Sequence, residues 1–116
     1  MVRVTNVTRG TVVCRRARIA GSFWHRLRGL MFRRELAPED GLLLVPEWSI
    51  HTFFMRFPID VIFLSRSDVV LATYEHVRPN RLGPACRGAH KVLELPVGTV
   101  KHSQTKEGDQ FEIVAA

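Results

Sequence analysis

Cysteine is scarce in this chain: Cys14 and Cys86 are the only two. That is too few for a disulfide framework, and two free thiols are expected. Cys14 sits in the apolar run TVVC and reads as a small core residue. Long apolar runs are also missing. None approaches the roughly 18 residues that a membrane span needs, so no membrane partner is expected. The opening residues MVRVTNVTRG contain no continuous apolar segment with a small-residue cleavage site. They do not read as a secretory signal, and the cytoplasm is the expected location.

Acidic residues are absent from positions 1–34, which carry nine arginines. The remaining residues hold eight bases against eleven acids. Fourteen of the seventeen bases are Arg, whose planar fork of donors suits phosphate and carboxylate. A basic half of this kind either meets an external anion or folds against the more acidic half. Nucleic acid is the disfavoured partner. The chain has no RNP-type aromatic motif, no zinc-finger spacing and no helix-turn-helix signal. A nucleic-acid role through Arg15, Arg16 and Arg18 stays an alternative.

Catalytic and metal signatures are thin. There is no Gly-x-Ser-x-Gly elbow. Cys86-x-x-x-His90 has tolerable zinc spacing, but His51, His76 and His102 complete no recognisable pattern around it. No metal and no cofactor is expected. No repeat, linker or low-complexity segment interrupts the chain, and 116 residues read as one domain, 1–116.

What is present is strand periodicity. VRVTNV alternates, a turn follows at Arg9-Gly10, and TVVCRRARIA alternates Ala17 and Ile19 with Arg16 and Arg18; together they predict a hairpin. The period then becomes helical. Ser22 can cap, and Phe23, Leu27, Leu30 and Met31 share one face, predicting an α-helix over about 23–33. Gly29 inside it costs up to about 1 kcal/mol against Ala. A close backbone contact or a bend before Leu30 would account for it. Strands follow at 42–45, about 49–55, 60–65, 69–77, about 90–95 and in QFEIV, with a kink at Arg56–Pro58. Residues 78–89 read as the longest loop, and Thr99–Gln104 as a short helical turn. The fold expected is mainly β: a small antiparallel β-barrel or two-sheet sandwich of seven to eight strands with one α-helix.

Three motifs stand in order: RGLMFR at Arg28–Arg33, HTFFMRFPIDVIFL at His51–Leu64, and VLELPVGT at Val92–Thr99 followed by Gly108-Asp109. Their order and spacing resemble the prokaryotic domain-of-unknown-function family 192, over about Ser22 to Val114. The resemblance implies a compact, mostly β domain and no settled activity. Many members of that family look exported, whereas this chain shows no signal. Members commonly have Trp-Met-Lys-Asn in the second motif. Here the residues are Phe54-Met55-Arg56-Phe57, so a basic residue is kept and the amide is missing.

The charges inside apolar stretches are the candidate site: Arg28, His51, Arg56, Asp60 and Glu94. A charge drawn toward a core needs a partner. One reading is structural, with Arg28 or Arg56 neutralising Asp60 or Glu94 and pinning the helix to the sheet. The functional reading is a non-enzymatic binding or accessory module, in which these residues line a barrel mouth and take a small polar or anionic ligand. A small hydrolase using Asp60 or Glu94, with His51 as proton carrier, is the alternative. The aromatics Trp24, Trp48, Phe53, Phe54 and Phe57 are expected in the core, or, on a sharper reading, as a stacking platform.

Overall fold

The computed structural model describes residues 1–116. Nine strands and two short helices follow in the order β1 (Val2–Asn6), β2 (Thr11–Ala20), α1 (Phe23–Arg28), β3 (Asp40–Leu44), β4 (Ser49–His51), β5 (Ile59–Leu64), β6 (Val70–Val77), β7 (Leu82–Ala85), β8 (Lys91–Pro96), α2 (Thr99–His102) and β9 (Phe111–Ala115). Seven strands form one sheet in the order β6-β5-β8-β3-β2-β1-β9, and β4 pairs with β7 in a separate ribbon.

The sheet curls until its edges meet at one end. Val69 bridges Gln110, the N–H of Val70 donates to the Asp109 carbonyl at 2.8 Å, and that of Gly108 donates to the Val70 carbonyl at 2.8 Å. The result is a mainly β half-barrel. All neighbouring pairs are antiparallel except β2 with β3. That exception follows from the connection, because α1 and the loop after it carry the chain back to the starting end.

Both faces of the sheet are covered, so there are two cores. Val4, Cys14, Leu43, Ile62, Leu64, Leu93, Leu95, Val100 and Phe111 pack on the concave side beneath α2. Leu30, Leu42, Leu44, Ile50, Met55, Val61, Phe63 and Val92 pack on the convex side beneath the α1 region and the β4–β7 ribbon. Burial on both faces is why IDVIFL has apolar residues at consecutive positions; all six residues of β5 are buried.

Three details differ from the sequence expectation. The helix spans Phe23–Arg28 instead of about 23–33, because Gly29 ends it with φ 49° and ψ −125°, a combination only glycine tolerates. The expected strand at 49–55 stops at His51. Part of the expected long loop is β7, hidden in the sequence because Pro84 breaks its periodicity.

Candidate functional site

Asp60 is fully buried, yet no ion pair involves it. Its Oδ1 accepts the His76 backbone N–H at 3.0 Å, and its Oδ2 accepts those of Gly98 and Val100 at 3.1 and 2.9 Å. The β5–β6 register shifts between Ile59 and Val61, and His76 sits at that bulge with φ 53°. Asp60 therefore fastens the bulge of β6 to the first turn of α2. The expected pairing of Asp60 with Arg28 or Arg56 is overturned: backbone donors occupy both carboxylate oxygens.

Glu94 lies on the opposite face. In the β5–β8 ladder Asp60 stands across from Leu95 and Glu94 across from Val61, and neighbouring residues of a strand point to opposite faces. Asp60 thus faces the concave core and Glu94 the convex one. The Glu94 side chain is 2% exposed, and its Oε1 has no hydrogen-bond partner. Burial, with a smaller contribution from the charge of Glu47, pushes its pKa up to about 8. At that value the neutral form of Glu94 predominates at pH 7. Arg28 and Arg56 do not neutralise it, which overturns the second half of the expected pairing.

The residue next to Glu94 is Gly29. A Cβ added there would lie 3.2 Å from Glu94 Oε1. The close backbone contact that a mid-helix glycine implied is this one, and the helix end comes with it.

Gly29 also lines a cavity of about 280 Å³ between α1 and β2. Arg18, Arg28, Arg33 and His25 converge on it, with Ala20 and Leu42 as apolar wall. None of the three arginines forms an ion pair. Arg18 is there because β2 alternates: it shares a face with Ala20, which also lines the cavity, while Ala17 turns to the concave core. Arg33 arrives through the turn after Gly29. A larger hollow of about 740 Å³ lies between β2 and the start of α2, but its charged residues Arg15 and Glu39 neutralise one another at 2.9 Å. Cys14 borders that hollow as a buried free thiol, its Sγ–H directed at the Glu39 carbonyl and its pKa pushed up by burial.

His51 anchors α1. Its Nε2 lies 2.8 Å from the Leu27 carbonyl, while its Nδ1 accepts the Phe53 N–H at 3.2 Å. These partners assign the proton to Nε2. Arg56 is exposed and pairs with no acid. Of the five residues singled out in the sequence, Arg28 lines the cavity, Glu94 lies behind its Gly29 wall, and His51 holds the helix that bears Arg28. Asp60 is on the other face of the sheet. Arg18 enters the sequence reading only as a nucleic-acid candidate, Arg33 only as a charge beside an apolar stretch in the RGLMFR motif, and His25 not at all; their common signal is membership in the acid-free stretch 1–34.

The family model DUF192, described as an uncharacterized ACR, matches residues 4–113. The chain belongs to the DUF192 family. A UPF0127 protein of Thermococcus sibiricus is 36% identical over 111 residues, covering 92% of this chain and 71% of that one. A UPF0127 protein of Pyrococcus furiosus is 36% identical over 114 residues, covering 92% and 94%. The crystal structure of a protein of unknown function from Novosphingobium aromaticivorans superposes with a TM-score of 0.82 at 27% identity, covering 96% of this chain and 82% of that one. These relatives carry no stated activity. The fold is therefore shared with these relatives.

Proposed function

We propose that this DUF192 domain is a non-enzymatic binding module that takes a small anion or anionic group in the cavity between α1 and β2. One observation carries the reading: Arg18, Arg28 and Arg33 line a single cavity with no acid to offset them. Guanidinium groups present paired donors that match phosphate and carboxylate oxygens. The nearest buried carboxyl, Glu94, is predominantly neutral at pH 7, so it leaves the positive field of the cavity largely intact. His25, whose Nδ1 lies 2.7 Å from the capping Ser22 Oγ, adds a polar edge.

The hydrolase alternative is weakened as a two-carboxylate mechanism. Asp60 and Glu94, its two carboxylates, face opposite sides of the sheet, and Asp60 is committed to three backbone donors. The nucleic-acid alternative is weakened because Arg15 and Arg16 are engaged with Glu39 and Asp40, Nε to carboxylate oxygen, at 2.9 Å each.

Calorimetric titration with inorganic phosphate, sulfate and citrate tests the proposal. Binding should appear at or below millimolar concentration and weaken about tenfold or more in Arg28→Ala and Arg33→Ala, since a charged hydrogen bond contributes roughly 1.5–3 kcal/mol. Absence of heat with all three anions, or binding indifferent to both substitutions, would sink it.

A further inference from the structure

The aromatic residues expected in the core are largely outside it. Of those five, Trp24 is 73% exposed, Phe54 61%, Trp48 53% and Phe53 41%, with Phe57 half-buried; Phe23 at 61%, Phe32 at 57% and Leu27 at 45% join them. They are not scattered. Phe23 and Trp24 meet edge to face at 5.3 Å, Phe32 stacks on Phe54 at 5.5 Å, and His51 stacks on Phe53 at 5.7 Å. The Phe32 N–H donates to the Phe54 carbonyl at 3.0 Å, and His51 reaches the Leu27 carbonyl at 2.8 Å. The α1 segment and the turn after β4 thus form one joined apolar surface. No residue of α1 is buried, so the helix stands proud of the sheet. Leu82, paired across the ribbon with His51 and 86% exposed, extends the surface.

Two of these rings are held at a cost. Phe32 has φ 65° and Phe54 has φ 62°. Left-handed backbone is unfavourable for bulky side chains. Here the strain presents two rings to solvent, where they add little to the core.

The charge around the rings is predominantly positive, with Glu35 and Glu47 at its borders. Residues 21–34 and 48–59 contain five arginines and no acid. Arg26 is engaged by Glu47 at 3.5 Å, while Arg28, Arg33, Arg34 and Arg56 have no acidic partner. Exposed Trp and Phe among unpaired arginines match the interface of an anionic bilayer, where rings settle at headgroup depth and cations meet lipid phosphates. A second copy of the chain is a poor occupant, because face-to-face pairing would bring together the unpaired Arg28, Arg33, Arg34 and Arg56 of both copies. Resting on one leaflet needs no spanning segment, so the lack of a long apolar helix does not bear on it.

We infer that the surface formed by Trp24, Leu27, Phe32, Phe53 and Phe54, rimmed by Arg28, Arg33, Arg34 and Arg56, docks peripherally on anionic lipid. This inference is independent of the anion cavity, except that Arg28 and Arg33 serve both.

Co-sedimentation with vesicles tests it, using phosphatidylcholine alone and an equimolar mixture with phosphatidylglycerol. The protein should sediment with the mixture and stay free of phosphatidylcholine alone. Trp24→Ser and Phe54→Gly should each weaken partition roughly tenfold, as expected for one ring withdrawn from the interface. Phe54→Gly also relieves the backbone, so its unchanged melting temperature separates lost docking from lost folding. Arg34→Ala combined with Arg56→Ala should flatten the salt dependence, whereas Arg15→Ala should leave partition as it was. Failure to sediment with the mixed vesicles would overturn the inference. So would partition that survives both ring substitutions, which would mark mere adsorption of a basic protein. Binding of an acidic amphipathic peptide without vesicle binding would assign the surface to a protein partner instead and would equally overturn it.

Discussion

Gly29 and Glu94 are in contact across the convex core: any Cβ on Gly29 would approach the unpartnered Oε1 of Glu94 to 3.2 Å. The contact joins the helix end, the wall of the arginine-lined cavity and the buried acid whose pKa is pushed up. It also makes both residues hard to replace, for different reasons.

At Gly29 the reason is backbone. Alanine would have to adopt φ 49° and ψ −125° and press on Glu94. Gly29→Ala should destabilise by about 1–3 kcal/mol, measured by chemical denaturation. A fully stable variant would show that the chain after α1 rearranges easily.

At Glu94 the reason is charge. Its pKa rises on folding from 4.5 to about 8, so between those values the folded state binds more protons than the unfolded one. Stability from this group is fully present below 4.5 and is lost as pH rises through about 8. Glu94→Gln cannot ionise. Relative to wild type it should gain roughly 3–5 kcal/mol on going from acid to mildly alkaline pH, at about 1.4 kcal/mol per unit of pKa shift. Parallel pH–stability curves for the two proteins would show that the burial penalty is absent.

Asp60→Ala would leave the N–H groups of His76, Gly98 and Val100 without their acceptor. A cost of about 2–4 kcal/mol is expected, the range for stranding several buried donors. Asp60→Asn should cost less but still destabilise, since one oxygen becomes an amide donor facing backbone donors. Hydrogen exchange at Val100 and His76 should quicken in both. Unchanged exchange there would show that these bonds do not hold α2 and the bulge.

Asp109 has the opposite sign to Glu94. Burial alone would raise its pKa, but hydrogen bonds from Arg9, Asn6 and the Lys106 backbone, with the Arg9 charge, hold it at about 2 instead of 3.8. Its contribution is present above 3.8 and lost as pH falls through about 2. Asp109→Asn should therefore move the acid-unfolding midpoint upward, read by far-UV circular dichroism. An unmoved midpoint would show that Asp109 plays no part in acid stability.

Arg28→Ala and Arg33→Ala should change stability by no more than about 0.5 kcal/mol, because neither guanidinium has an acidic partner to strand. A large loss of melting temperature in either would return them to a structural role.

Much of the fold was legible because strand burial leaves a mark on the chain. The consecutive apolar run IDVIFL announced two-sided burial, and all of β5 is buried; alternation in TVVCRRARIA turned Ala17 inward, but Ile19, two residues on, is 52% exposed. Gly29 announced a close contact, and Glu94 supplied it. The partners of Asp60 were not legible, because its donors lie 16, 38 and 40 residues away and are backbone groups, identical at every residue. Nor was the exposure of Trp24 and Phe54. Hydrophobicity says that a ring gains from burial, but not whether a face remains to bury it.

By itself, the sequence determined the β character, the strand spacing, the helix start at Ser22 and the uneven charge, since each depends on neighbours along the chain. Tertiary structure decided which face each charge took. A one-residue step along β8 and β5 separates Glu94 from Leu95 and Val61 from Asp60, and that step puts the two carboxyls in different cores. It also decided that Arg18, on β2, would share a cavity with Arg28 and Arg33, because only the curl of the sheet and the turn at Gly29 bring α1 against β2.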